Sequence, residues 1–256
     1  MILLPPELPA VIDSLVRAVK EGKIPESRID ASARRILELK ARLGLPQNRL
    51  VDIDLLPLKI ASRQHLEQAA KTFEKSVTLV RNEQDVLPLS PEIPAGKIAV
   101  FSLSSDPDDY FAGQTFVREL RKRKPGVSAF YADANTGQEF IREANAKALE
   151  ADLVILALFS SLRSGKGSVD LLPGHIDLVR ELSWAKKKTV VISFGSPYFL
   201  RHIPEVDGYL CLYRNTSQAQ EVAARAVCGE IDIEGRLPVS IPGLYPVGHW
   251  LMIKKK

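Results

Sequence analysis

From Lys97 onward the chain alternates short, almost continuously apolar runs with longer stretches of helical period, and this alternation leaves few folds open. The apolar runs are Ile98 to Leu103, Val127 to Tyr131, Leu153 to Phe159, Thr189 to Phe194 and Tyr209 to Tyr213. The helical stretches are Phe111 to Lys122, Glu139 to Glu150, His175 to Ala185 and Ser217 to Cys228. A strand that is apolar at nearly every position has no face to show to water, so it must be covered on both sides. Helices alternating with such strands supply the two covers, which predicts an open, doubly wound α/β domain with a mainly parallel sheet. Ligands of such sheets gather beyond the carboxyl ends of the strands. Those ends are Ser104-Ser105-Asp106, residues 160–170, Gly195-Ser196-Pro197-Tyr198 and Tyr213-Arg214-Asn215.

Two amphipathic helices precede this domain. Ile12, Leu15, Val16 and Val19 form one stripe, closed by Gly22; Ile29, Ala33, Ile36, Leu37 and Leu43 form a second, which starts near Pro25-Glu26 and stops at Gly44. Residues 46–59 hold the turn formers Pro46, Asn48, Asp52, Asp54 and Pro57 without a sustained period, and read as a linker. The expected organisation is helices over 1–45, a linker over 46–59 and the α/β domain over 60–256. That domain opens with a helix from Ile60 to Lys75, and Val77 to Val80 with Val86 to Leu89 are expected to form a short hairpin around Arg81-Asn82-Glu83.

Composition narrows the function classes. At 256 residues and 45% hydrophobic, the chain can bury a full core. Its longest apolar runs fall far short of the roughly 20 residues that span a bilayer, so no membrane helix is expected. Met1 to Pro6 lack the basic and long apolar stretches of a secretory signal, so none is expected here, and the compartment stays open. The formal charge of +4 is concentrated in Arg121 to Lys124, Lys186 to Lys188 and Lys254 to Lys256. The first two runs sit at expected helix ends, where cations complement the macrodipole, and no aromatic residues are interleaved as in a single-strand groove. Neither nucleic acid nor membrane is expected as a partner.

The reactive residues suggest little chemistry of their own. Cys211 and Cys228 read as buried small hydrophobes rather than a disulfide, and His65, His175, His202 and His249 have no metal-ligand spacing. No cofactor is expected. His175 opens a helix and is expected to cap it or face solvent, and Asp106 to Asp109 read as a polar turn. The glycines at 165 and 167 do not belong to a phosphate-binding loop, and Ser196 is followed by Pro197-Tyr198, so no Gly-x-Ser-x-Gly elbow exists there.

Five blocks in order resemble glycoside hydrolase family 3. Leu3-Leu4-Pro5 with the following helix, and Arg34 to Leu45, are similar to the closing elements of that family's N-terminal (β/α)8 barrel. Glu74 to Asn82 with Leu87-Pro88-Leu89 is similar to the entry into its second, sandwich-like α/β domain. Gly195-Ser196-Pro197-Tyr198 resembles a strand-end turn of that domain, and Gly235-Arg236-Leu237-Pro238-Val239 with Pro242 resembles its closing signature.

The resemblance implies a retaining hydrolase in which a carboxylate nucleophile and a general acid/base flank the glycosidic bond. It places the nucleophilic aspartate on a barrel strand upstream of this chain, so no catalytic residue is assigned here. Glucosidase-like members take the acid/base glutamate from the loop matching Ser160 to Asp170. That loop has no glutamate, and Asp170 is its only carboxylate. N-acetylglucosaminidase-like members use a histidine and aspartate on a barrel loop, so the resemblance favours that branch over the glucosidase or xylosidase one. The expected role is to brace the barrel and wall its active-site mouth, with the isolated chain hydrolysing nothing; a stand-alone glycan- or protein-binding module is the alternative. Candidates for contacting substrate or barrel are Arg163, Ser164, Lys166, Tyr198, Arg214 and Asn215. Expected partners are the barrel, in cis or in trans, a glycan containing N-acetylglucosamine, and a second copy through the N-terminal helices.

Overall fold

The computed structural model of the chain describes residues 2, 4–107, 109, 111–160 and 171–255. The chain divides into two compact units, Met1–Ser62 and Arg63–Lys256. The first holds helices α1 (Leu8–Lys20) and α2 (Glu26–Arg42) and the single turn α3 (Leu56–Lys59). Both long helices are amphipathic, yet no described residue of this unit is buried. Leu8, Ile12 and Val16, one stripe on α1, are each about half exposed, and Leu37 on α2 and Leu43 at its end more so.

The second unit is the α/β domain. It runs α4 (Arg63–Ser76), β1 (Thr78–Asn82), β2 (Ile98–Ser104), α5 (Gln114–Arg123), β3 (Ser128–Ala132), α6 (Gln138–Glu150), β4 (Leu153–Phe159), α7 (Pro173–Trp184), β5 (Lys188–Ser193), β6 (Gly208–Cys211) and α8 (Ser217–Val227). The six strands form one sheet in the order β1-β6-β5-β4-β2-β3. Every neighbouring pair is parallel except β1 with β6.

Central β4 is fully buried along all seven residues. Alternate side chains enter two separate cores, as the period of two in a strand requires. Ile155, Ala157 and Phe159 join Phe116 and Leu120 of α5 and the alanine-rich face of α8; Val154, Leu156 and Leu158 join Leu178, Val179 and Leu182 of α7. Phe159 stacks on Phe194 with centroids 4.6 Å apart, and Phe116 meets Phe194 edge-on, locking α5 onto β4 and the end of β5. Each fully buried aromatic or large aliphatic side chain contributes about 1.5–3 kcal/mol of transfer free energy.

The expected hairpin does not form. β1 pairs antiparallel with β6, and residues 86–89 fold away as irregular chain. The Asn82 side chain is the cause: its amide oxygen accepts from the Leu87 N–H at 2.9 Å and its NH2 donates to the Leu87 carbonyl at 2.9 Å. That removes the backbone groups a second strand would use, and the Leu89 N–H donates to the Val227 carbonyl instead. The two cysteines are both free, Cys211 buried on β6 and Cys228 half-buried after α8.

An ion-pair chain ties α5, α8 and α4 together. Glu119 receives Lys122 at 2.7 Å, Arg123 grips Glu230 through two nitrogens at 2.7 and 2.9 Å, and Arg225 pairs with Glu74.

The segment after α8 returns across the start of β1. The Gly235 N–H donates to the Val77 carbonyl at 3.0 Å. A Cβ at 235 would fall 2.4 Å from that same oxygen and 2.8 Å from the Ser76 carbonyl, so only glycine fits this backbone crossing. Downstream, Leu237 is buried and its N–H donates to the His249 carbonyl, while Arg236 lies 3.9 Å over the Trp250 ring. Gly235→Ala is expected to cost roughly 2 kcal/mol or more in urea unfolding, in the range of overpacking. Gly137→Ala, at a site with nothing within 4 Å of the added carbon, should leave the midpoint unchanged.

Candidate functional site at the carboxyl ends of the strands

Because β2, β4, β5 and β6 run parallel, their carboxyl ends emerge along one rim, where the rule for open α/β sheets places ligands. After β2 the chain continues through Ser105 and Asp106, both buried, with the Ser104 hydroxyl accepting from the Asp106 N–H at 3.1 Å. Asp109 follows. Its carboxylate accepts from the Asn215 NH2 at 2.7 Å, the Asn215 oxygen accepts from the Gln220 NH2 at 2.9 Å, and the Gln220 oxygen accepts from the Phe116 N–H at 3.0 Å. This relay fastens the loop after β2 to the loop after β6 and to the first turns of α5 and α8. Both polar ends of the Asn215 side chain are therefore engaged within the chain.

The remaining rim is built from turns. Ser193 donates to the Ser196 carbonyl at 2.8 Å, and the Ser196 hydroxyl accepts from the Tyr198 N–H at 3.2 Å, forming the cap of the 3-10 turn Pro197–Arg201. Tyr198 lies partly exposed on that turn, and Arg214 is exposed on the neighbouring strand end. Between them Tyr213, with a left-handed φ of 59°, donates its hydroxyl to Thr78 at 2.9 Å, and burial raises its phenol pKa above the ordinary value. Arg163, Ser164, Lys166 and Asp170 lie outside the described residues. The structure thus groups Tyr198, Arg214 and Asn215 on adjacent loops, with Asn215 reaching across to Asp109.

His175 departs from its expected capping or surface role. The N-cap of α7 is Leu172, and His175 is buried at 3% exposure, with neither ring nitrogen hydrogen-bonded. Burial pulls its pKa from 6.5 down to about 4, opposed by the Asp133 carboxylate. A sequence signal was available: position 175 precedes Leu178 and Val179 by three and four residues and continues their apolar stripe. Asp109 was missed as a partner of Asn215 because no local spacing connects residues 106 positions apart, and Gln220, only five positions from Asn215, takes its place in the relay through Phe116, 104 positions away.

Chemically, the described rim presents the Tyr198 phenol and the Arg214 guanidinium, while Asp106 is buried and the Asp109 carboxylate is engaged by Asn215. Among the described residues no group of three or more His, Cys, Asp or Glu could hold a metal ion.

A family model for the glycosyl hydrolase family 3 C-terminal domain matches residues 77–245. The chain belongs to this family. It is 26% identical to a lysosomal beta glucosidase of Dictyostelium discoideum over 90% of this chain and 32% of that protein. It is 26% identical to a beta-N-acetylglucosaminidase/beta-glucosidase of Cellulomonas fimi over 86% of this chain and 40% of that one. Among solved structures, a fungal multi-domain GH3 beta-N-acetylglucosaminidase shares 25% identity at a TM-score of 0.64, covering 91% of this chain and 26% of the other. The chain spans about a third to two fifths of the length of these curated relatives. The 90% match exceeds what Arg63–Lys256 alone could supply, so it reaches into the first unit.

Two measurements probe this family 3 domain. The unfolded state takes up a proton at His175 near pH 6.5, while the folded state does so only near pH 4. Stability therefore falls as pH drops through that window, by up to roughly 3 kcal/mol. His175→Leu is expected to flatten this part of the curve of melting temperature against pH between 7 and 4. Asn215→Leu should cost about 1–3 kcal/mol through the stranded partners of its amide and raise hydrogen exchange selectively over residues 105–113.

Proposed function

We propose that this chain is the C-terminal portion of a two-domain retaining glycoside hydrolase of the β-N-acetylglucosaminidase branch. It braces a (β/α)8 barrel, in cis or in trans, and walls the mouth of its active site with the rim just described. On this reading the isolated chain is inactive. The observation that carries it is the first unit, whose amphipathic helices bury none of their described residues, so their stripes are built for a surface these 62 residues do not themselves provide. Relatives two to three times longer, whose matches extend into the first unit, support a barrel as that surface.

The branch rests on the loop 160–170, which offers no glutamate. A retaining enzyme needs a general acid as well as a nucleophile, so in this lineage the acid comes from the barrel. The β-N-acetylglucosaminidase relatives are consistent with that division, and the β-glucosidase relatives supply the competing reading.

The purified 256-residue chain is expected to release no nitrophenol from an aryl N-acetyl-β-glucosaminide, and measurable release would overturn the proposal. Amides of α1 and α2 should exchange far faster than those of β4; equal protection would support a stand-alone module. Fused behind the barrel of the Cellulomonas fimi relative, the chain is expected to permit turnover. Behind a β-glucosidase barrel it should be at least about a hundredfold slower than that enzyme's own second domain, the scale of a lost general acid.

A further inference from the structure

We propose that the groove between α5 and the edge strand β3 docks an extended acidic peptide segment, which adds a strand to the sheet. β3 ends the strand order, and among the described residues no strand lies beyond it. An edge strand offers a row of backbone donors and acceptors to an incoming chain. A groove of about 390 Å³ runs along this edge, within the range of ligand sites. Its floor is Ala129 and Tyr131 of β3, and its wall is the stripe Gln114, Val117, Arg118 and Arg121 of α5. Phe111, 74% exposed, stands just before that wall in the chain.

Both faces of the groove are held in place by the fold. The Tyr131 hydroxyl donates to the Asp109 carbonyl at 2.9 Å, and Arg121 donates to the Val127 carbonyl at 3.1 and 3.2 Å, fixing the start of β3 beneath α5. At the top of α5, Gly113 sits so close to β2 that a Cβ there would fall 1.9 Å from the Ser102 hydroxyl. The wall and floor thus keep a fixed spacing, as a strand slot requires.

Charge selects the occupant. The groove itself is lined by Arg118 and Arg121, whereas Lys122 and Arg123 beside them are answered by Glu119 and Glu230. Segment 126–132, Gly-Val-Ser-Ala-Phe-Tyr-Ala, carries no charge, so a second copy of β3 would bring its own arginines against these and no carboxylate to answer them. A strand whose groove-facing positions, every second residue, carry both apolar and acidic side chains meets both demands: the apolar ones lie over Val117 and Tyr131, and the carboxylates, on the same face, reach the Arg118 guanidinium. The Arg118 side chain is 63% exposed and meets its neighbour Glu119 at 3.4 Å, which leaves its guanidinium open to solvent and positioned for this.

The test uses the full 256-residue chain and a fluorescein-labelled octapeptide of repeating Val-Ser-Glu-Ser, which carries valine and glutamate on one face of a strand. Saturable binding should be seen by anisotropy, weakening with added salt, with new hydrogen-exchange protection over Ser128–Ala132. Arg118→Glu, at an exposed site that leaves the fold intact by circular dichroism, should weaken binding by at least about fivefold. A peptide of the same charge with prolines in place of valine cannot pair as a strand and should not bind. Absence of binding, protection elsewhere than β3, equal binding of the proline peptide, or an Arg118→Glu variant that binds as well as the parent would each overturn the proposal.

Discussion

A strand whose every side chain is buried sets the terms for everything around it. β4 has no solvent-facing residue, so the domain needs a helical layer on each side, and α5 with α8 and α6 with α7 are those layers. Helices that cover both faces must cross back over the sheet between strands, which makes the pairs around β4 parallel. Parallel strands end on the same side. The position of the candidate site is therefore a consequence of hydrophobic coverage rather than an independent feature: β2, β4, β5 and β6 deliver their following loops to one rim because β4 cannot be left bare.

The parts of this structure that are legible in the sequence are those governed by local pattern. β4 was read to the residue because its apolar run lies between Asp152 and Ser160. β6 is shorter than its apolar run, since Tyr213 turns left-handed and takes its phenol to Thr78. Asn82 hid the true partner of β1: a side chain that satisfies both backbone groups of a residue five positions on can cancel a hairpin that the pattern favours. At the rim, turn chemistry such as the Ser196 cap follows from adjacent residues, while the Asp109, Asn215 and Gln220 relay joins distant ones and needed the fold to be seen. His175 lies between these cases, placed by an apolar stripe that its own polarity disguised.

The two units differ in how completely they satisfy themselves. In the α/β domain the helical stripes end in filled cores and the charges of α5, α8 and α4 answer one another in sequence. In the first unit the same kind of pattern is present without a core among the described residues. An amphipathic helix specifies that one face is to be covered; it does not name the cover. The pattern is thus informative about burial and silent about the partner, which is why helix boundaries were readable there and the docking surface was not.

The last residues of the chain give the sheet a direction. Gly235 donates to the Val77 carbonyl and Leu251 to the Leu79 carbonyl, and the His249 ring meets the Val80 carbonyl at 2.8 Å, so the outer side of β1 is occupied by the protein's own tail. The opposite side, at β3, carries no such cover among the described residues. A sheet closed at one end and open at the other can be extended from one side only. It lacks the two matching ends that end-to-end growth into a filament demands, so the tail that finishes the domain also limits how far the sheet can be extended.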